Sequence, residues 1–185
     1  MKRRRRRSAG LTLVEVVLLV SIAGIVLAVG VPAFVRGLRT NKSAEAVHEL
    51  GRIFDAVERY YAAPQQTAMG TRVGCLPDAA GPTPAQPSKE PLAVEFGAGA
   101  SPGAATWRAI GYEPASPLRY RYSLRPLRAG CGTVRGVAAG QPLLWLRAEA
   151  DLDGDGVLSR FERTASERDG RLVLDEPLIV HDRVE

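Results

Sequence analysis

The clearest pattern in the chain is a largely apolar run from Leu11 to Val35 that contains a single charged residue, Glu15. The run is 25 residues long, and about 20 apolar residues suffice for a helix to cross a bilayer. A carboxylate inside such a run costs about 2.5–3.5 kcal/mol on insertion scales. The pattern therefore predicts a membrane-spanning helix in which Glu15 has a specific role.

The helical pattern continues past the apolar run and becomes amphipathic. Five apolar residues recur at spacings of three and four, which places them on one helix face: Val47, Leu50, Phe54, Val57 and Tyr61. Charged residues occupy the other positions: Glu45, Glu49, Arg52, Asp55 and Arg59. We predict one helix from Leu11 to about Ala62, with an apolar part (11–40) and an amphipathic part (41–62). Proline lacks a backbone N–H, so a kink or local melting is expected near Pro32.

The pattern changes again after the helix. Residues 63–106 are rich in Pro, Ala and Gly and predict an irregular connection with one short strand at Leu92–Phe96. Strand signals return from Trp107 onward, with alternation of period two from Leu118 to Arg125. Further strands are predicted at Leu143–Ala148, Phe161–Ser166, Arg171–Leu174 and Leu178–His181, with a hairpin turn at Asp169-Gly170. The fold class is therefore α+β, a long helix packed on a small antiparallel sheet within residues 107–185.

Positive charge is concentrated at the start of the chain. The formal net charge is +5, but six of the positive charges are Lys2 and Arg3 to Arg7, and without residues 1–10 the balance becomes −1. A basic segment before an apolar helix holds the N-terminus in the cytoplasm. A general attraction to nucleic acid does not follow from the overall charge.

This start resembles the class III signal of type IV pilins and of the pseudopilins of type II secretion. The family has a short basic leader ending in Gly, here Gly10, and then an apolar stretch with Glu at its fifth position, here Glu15. A proline late in the stretch matches Pro32. The resemblance implies that prepilin peptidase removes residues 1–10 by cutting between Gly10 and Leu11, and that the new amine is methylated. Leu11 departs from the Phe that the family prefers at this position.

The resemblance implies a pilin-like fold and a structural, non-enzymatic function. The chain would be a major or minor subunit of a filament, built from copies of itself and other pilins by an inner-membrane assembly platform. It would lie in the bacterial inner membrane before assembly, and then in a filament in the periplasm or on the cell surface. Glu15 would neutralise the N-terminal amine of a neighbouring subunit. No nucleophilic triad is apparent, so no catalytic residue is predicted.

Three alternatives remain open. The closest is a pseudopilin of a type II secretion system. From another class, the chain would be a single-span membrane protein with an exported calcium-binding domain, although this leaves Glu15 without a role. A conventional signal peptide is disfavoured because a Glu stands early in its apolar core and the helical pattern continues beyond it.

The two cysteines, Cys75 and Cys131, both lie in residues 41–185, which we call the head. An exported head lies in an oxidising compartment, where two cysteines pair. The alternative is a pair of buried thiols. Neither cysteine has metal-ligand spacing to another Cys or His, which disfavours zinc.

A second motif lies at residues 151–162, where the spacing of acidic residues fits the EF-hand calcium loop. Its candidate Ca²⁺ ligands are Asp151, Asp153, Asp155, the Val157 carbonyl, Ser159 and Glu162. Gly156 permits the sharp turn. Because Leu143–Ala148 before the loop has a strand pattern and Phe161–Ser166 after it has an ambiguous one, we predict a structural calcium clamp between strands and not a helix-loop-helix sensor. The alternative is an acidic turn held by Asp side chains bonding to the backbone.

Arginines accumulate without acidic residues between Pro114 and Ala148. They are Arg119, Arg121, Arg125, Arg128, Arg135 and Arg147. Arginine beside tyrosine suits DNA binding, and some pilin-like proteins take up DNA. We favour the simpler interpretation, in which these arginines form the solvated face of a strand and are balanced by the acidic C-terminal region.

Overall fold

The computed structural model describes residues 12–132, 136–138, 140–152 and 154–181. The chain divides into two compact units, Met1–Asn41 and Lys42–Glu185. The secondary structure is mixed α+β with antiparallel sheets, which confirms the predicted fold class.

Helix α1 runs from Leu13 to Ala62, a length of 50 residues, as the apolar and amphipathic patterns predict. The backbone stays helical through Pro32, so the local melting expected there does not occur. In the second unit, α1 buries Ala46, Leu50, Ile53, Ala56, Val57 and Tyr61. These residues recur at helical spacing, so their burial fixes which face of the helix meets the core.

The main sheet has six strands: β4 (Ala80–Thr83), β5 (Arg121–Pro126), β7 (Leu144–Ala150), β8 (Ser159–Arg168), β9 (Arg171–Leu174) and β10 (Ile179–His181). Five of them lie side by side in the order β10-β8-β7-β5-β4, and β9 pairs with β8. All pairings are antiparallel. Strands β8 and β9 form the predicted hairpin, with Asp169 and Gly170 at φ values of 53° and 78°. Positive φ at both turn residues is the geometry that suits the twist of the strands.

The region between α1 and β5 has more structure than its composition indicates. It contains β1 (Gln65–Thr67), β2 (Gly70–Arg72), β3 (Cys75–Leu76), β4 and α2 (Ala104–Ile110), and β6 (Gly130–Cys131) later pairs with β3. The strand expected at Leu92–Phe96 is wrong, since Leu92 makes only an isolated bridge to Leu118. Trp107, expected where strand signals return, lies in α2. Helix α2 is seven residues long and ends at glycines in the left-handed region, too short to produce a readable period.

An aromatic cluster joins these elements into one core. Phe96 packs edge-on against Trp107 and Tyr112, with ring centroids 5.0 and 5.2 Å apart. Such edge-to-face contacts are favourable beyond the area they bury. Trp107 Nε1 donates to Thr83 Oγ1 at 3.0 Å, which ties α2 to β4. The inner face of the sheet is thus covered, and its outer face carries the polar residues described below.

Candidate functional site

Glu15, the acidic residue of the apolar run, forms a capping box with Thr12 at the start of α1. Its Oε2 accepts hydrogen bonds from Thr12 N and Thr12 Oγ1, both at 2.8 Å. In return, Glu15 N donates to Thr12 Oγ1 at 3.3 Å. Threonine followed three residues later by Glu is the sequence signature of this motif, and our sequence analysis missed it. The carboxylate therefore has a local function in the single chain, in addition to any intersubunit one.

Gly10 and Leu11, the expected processing site, lie outside the described residues. From Leu13 to Val31 the helix is long and apolar enough to cross a membrane. Every side chain from residue 12 to residue 31 is exposed in the single chain. Exposed apolar surface on this scale marks contact with lipid or with another protein.

Two glutamates of α1, which the sequence pattern places off the apolar face, lie against the core. Glu49 is 3% exposed. Its Oε2 accepts a hydrogen bond from Tyr112 Oη at 2.7 Å and lies 3.0 Å from Arg52 Nη1. Glu45 Oε1 accepts hydrogen bonds from the backbone N–H groups of Arg119, at 2.7 Å, and Tyr120, at 3.2 Å. A buried carboxylate is stable only when paired and hydrogen-bonded, so these two residues hold α1 in register with the strand region.

Three tyrosines beside this acidic pair have shifted acidities. Burial, followed by the hydrogen bond to Glu49, raises the pKa of Tyr112 far above its ordinary value of 10.0. Burial likewise raises the pKa of Tyr122 far above that value, and raises the pKa of Tyr120 to about 12. All three hydroxyls are thus held neutral at any physiological pH.

The disulfide between Cys75 and Cys131 is formed, which confirms the predicted pairing. The two residues face each other in the β3–β6 pair. The bond closes a sequence separation of 56 residues. It therefore ties the segment that follows α1 to the segment that follows β5.

The acidic loop lies between β7 and β8, so it joins two strands as expected. Asp151 accepts hydrogen bonds from the backbone N–H groups of Gly154, at 2.5 Å, and Gly156, at 3.1 Å. Asp155 Oδ1 accepts one from Val157 N at 2.7 Å. Asp153 lies outside the described residues. These bonds are the ones expected of an acidic turn held by Asp side chains bonding to the backbone, and an ionised carboxylate that accepts them keeps further lone pairs.

The remaining expected ligands are less well placed. Ser159 and Glu162 belong to β8, and Glu162 Oε1 lies 2.6 Å from Arg147 Nε. The described residues contain no group of three acidic, His or Cys side chains able to hold a metal. A cation of the protein itself lies at the loop, because a Cβ placed on Gly154 would collide with Lys89 Cε and Nζ. The sequence motif gave no sign of this lysine.

Three of the six arginines that raised the question of DNA binding are paired with glutamates. Arg119 Nη1 lies 3.4 Å from Glu45 Oε2. Arg121 Nη2 lies 2.9 Å from Glu149 Oε2, and Arg147 pairs with Glu162. Burial raises the pKa of Glu149, but hydrogen bonds from Arg160 and Arg121 outweigh it and leave that pKa below its ordinary value. Arg125 and Arg128 are exposed, and Arg135 lies outside the described residues. These pairs favour the solvated strand face over a DNA-binding surface.

No family model, no curated protein and no solved structure matches the chain. Its function must therefore be argued from its own residues.

Proposed function

We propose that this chain is a type IV pilin-like structural subunit, major or minor, of a cell-surface or periplasm-spanning filament. It is inserted in the inner membrane, processed by prepilin peptidase between Gly10 and Leu11, and then assembled with copies of itself and other pilins. It has no catalytic function. Each subunit contributes an apolar helix to the filament and presents its head to the surroundings.

The observation that carries the proposal is the composition of α1. One helix contains a membrane-length apolar segment, Leu13–Val31, and a segment whose buried face belongs to the head core. Glu15 stands in the first turn of that apolar segment, beside the proposed new N-terminus. The capping box with Thr12 would serve a plain membrane anchor equally well, but an ionised carboxylate in an apolar segment stays costly until a cation pairs with it. In a bundle of processed subunits the carboxylate would pair with the amine of a neighbour, which selects one assembled register.

We further propose that the acidic loop binds one Ca²⁺ as a structural cation. Asp151 and Asp155 supply carboxylate oxygens, with Asp153 between them in sequence, and the Val157 carbonyl and Ser159 follow in the order of an EF-hand loop. Glu162 would complete the set only by leaving Arg147 Nε. Closely spaced carboxylates on a tight turn repel one another, so a divalent cation would hold the β7–β8 connection in place.

The test of the filament proposal is the N-terminus of the membrane-extracted protein. Intact mass and N-terminal peptide mass should show a chain that begins at Leu11 and carries one methyl group. Gly10→Val is the matched variant, which should insert in the membrane but keep its leader. A wild-type chain that retains Arg3 to Arg7 would refute the proposal and favour the single-span membrane protein.

A processed chain does not separate a pilin from a pseudopilin. Shearing the cells and collecting the released material makes that distinction, because surface filaments are sheared off and short periplasmic ones are not. Recovery of the chain in sheared filaments supports the pilin. A processed chain that stays entirely with the cells favours the pseudopilin of a secretion system.

A further inference from the structure

The outer face of the main sheet carries an open cavity of about 610 Å³. It lies across β4, β5 and β7 and reaches Glu162 on β8. Gly81 lies at one side, where φ is +87° and a Cβ would collide with the Tyr122 carbonyl oxygen. A glycine there lets β4 approach β5 closely, so the cavity wall is formed by backbone on this side.

The strand register places the side chains that line the cavity in two rows, each of which runs across neighbouring strands. Arg125 is the cross-strand partner of Trp145, and Ser123 is the partner of Arg147, which in turn faces Glu162. Direct cross-strand partners present their side chains on the same face of a sheet. Trp145 is half-buried and is the only aromatic residue among the described residues that line the cavity.

The arginine in one row is paired with a carboxylate, whereas the arginine in the other row is not. Arg147 is held by Glu162, with the side chains 45% and 17% exposed. Arg125 is exposed, and no carboxylate among the described residues pairs with it. An unpaired guanidinium beside an indole ring offers a bidentate site for a carboxylate next to a flat apolar surface. Both arginine contacts of Glu162 use Oε1, so Oε2 can accept a hydrogen bond from a ligand hydroxyl.

We propose that this cavity binds an acidic saccharide, a sugar chain whose rings carry carboxylates and hydroxyls. One ring stacks its C–H face on Trp145 while its carboxylate pairs with Arg125. Neighbouring hydroxyls then bond to Ser123, Arg147 and Glu162, a lining that contains both donors and acceptors.

Other anionic partners suit the lining less well. A single-stranded nucleic acid calls for several stacking aromatics along a basic groove, whereas this lining has one aromatic residue and includes Glu162. A peptide would gain most by adding a strand at β4. That edge contains Pro82, and Gly81 N already donates to the Pro102 carbonyl at 3.2 Å.

The test is calorimetric titration of the full chain in detergent micelles with an oligogalacturonate. A chelator is present throughout, because such sugars bind calcium themselves. The comparison probes are a neutral malto-oligosaccharide, an oligoglutamate peptide and oligothymidylate. Arg125→Gln removes the proposed carboxylate partner and Trp145→Leu the stacking surface. Arg128→Gln is the matched control, since Arg128 is an exposed arginine outside the cavity lining.

We expect saturable binding of the oligogalacturonate that both cavity variants weaken by at least about tenfold and the control changes by less than about twofold. The neutral sugar should bind at least about tenfold more weakly than the acidic one. Circular dichroism and the single disulfide verify that each variant is folded. No saturable binding at millimolar sugar, equal binding by Arg125→Gln, or tighter binding of the peptide or the oligothymidylate would overturn the proposal. None of these outcomes bears on filament assembly.

Discussion

Tyr112 Oη donates a hydrogen bond of 2.7 Å to Glu49 Oε2, across 63 residues of sequence. The pair connects the buried face of α1 to the segment that follows α2. Arg52 strengthens the connection, because its Nη2 donates to the Glu113 carbonyl at 3.0 Å while Nη1 contacts Glu49. The amphipathic half of α1 is therefore held to the rest of the head by charge-assisted hydrogen bonds as well as by apolar contacts.

Tyr112→Phe should destabilise the head by about 1.5–3 kcal/mol, because it leaves a buried carboxylate short of one donor. Tyr122→Phe is the matched control. The Tyr122 hydroxyl is buried and has no partner among the described residues, so its removal should leave the free energy of unfolding unchanged or raise it by up to about 1 kcal/mol. Urea unfolding of the full chain in micelles, followed by tryptophan fluorescence, measures both. Equal losses for the two variants would contradict the assigned role of the Tyr112–Glu49 bond.

The stability of the head should fall at alkaline pH. The pKa values of Tyr112, Tyr120 and Tyr122 are raised in the fold, whereas an unfolded tyrosine has a pKa of about 10. Their contribution is complete below about pH 10 and is lost as the pH rises through the folded pKa values, because only the unfolded state then releases protons. Each tyrosine adds up to about 1.4 kcal/mol per pH unit to the slope.

Urea midpoints measured from about pH 8 to pH 11.5 test this expectation. Tyr122→Phe should reduce the slope by one tyrosine's share and leave the midpoint near pH 8 unchanged or raised. A wild-type midpoint that stays constant over the whole range would show that these hydroxyls are not held neutral by the fold.

Glu15 has two proposed roles, a helix cap and a partner for a neighbouring amine, which substitutions can separate. Glu15→Gln keeps an oxygen that accepts the Thr12 bonds but removes the charge. Glu15→Val removes both, and Thr12→Ala keeps the charge but removes the hydroxyl contacts of the cap, at a cost of about 1 kcal/mol of helix stability. If charge pairing drives assembly, Glu15→Gln and Glu15→Val should both be processed normally and yield few sheared filaments. Thr12→Ala should assemble well. A wild-type filament yield from Glu15→Gln would instead assign Glu15 to capping alone.

Calcium binding by the acidic loop should compete with Lys89. An ammonium group at the loop offsets the mutual repulsion of its carboxylates, so Lys89→Met should tighten calcium binding and lower the stability measured in chelator. Asp155→Asn should weaken calcium binding. Extracellular sites of this type bind at about 10⁻⁴–10⁻³ M, and saturation at 100-fold above Kd would stabilise the fold by about 2.7 kcal/mol.

Thermal melting of the full chain in micelles, with calcium and with chelator, measures each of these effects. Magnesium at the same concentration is the control, because it demands a stricter geometry than a flexible loop provides. Wild-type protein that melts at the same temperature with and without calcium would reduce the loop to an acidic turn.

The local periodicities of the sequence predicted most of the regular structure. The alternation around Tyr120 and Tyr122 is visible because one sheet face is buried, and the Asp169-Gly170 turn is a signal contained in two residues. Helix α2 was missed because seven residues span only two turns. The burial of the two glutamates of α1 was missed because it depends on partners distant in sequence, such as Tyr112. Lys89 is close to the acidic loop only in the folded chain, so spacing within the motif could not reveal it.

The redox state of the two cysteines reports which compartment the head of each molecule has entered. In a reducing compartment Cys75 and Cys131 remain thiols, and they join only under oxidising conditions. Because the chain has no other cysteine, alkylation sorts the molecules into two classes, both thiols free or neither. If the head is exported, as we propose, trapping the thiols in intact cells counts how many molecules have delivered their heads across the membrane and how many still await export.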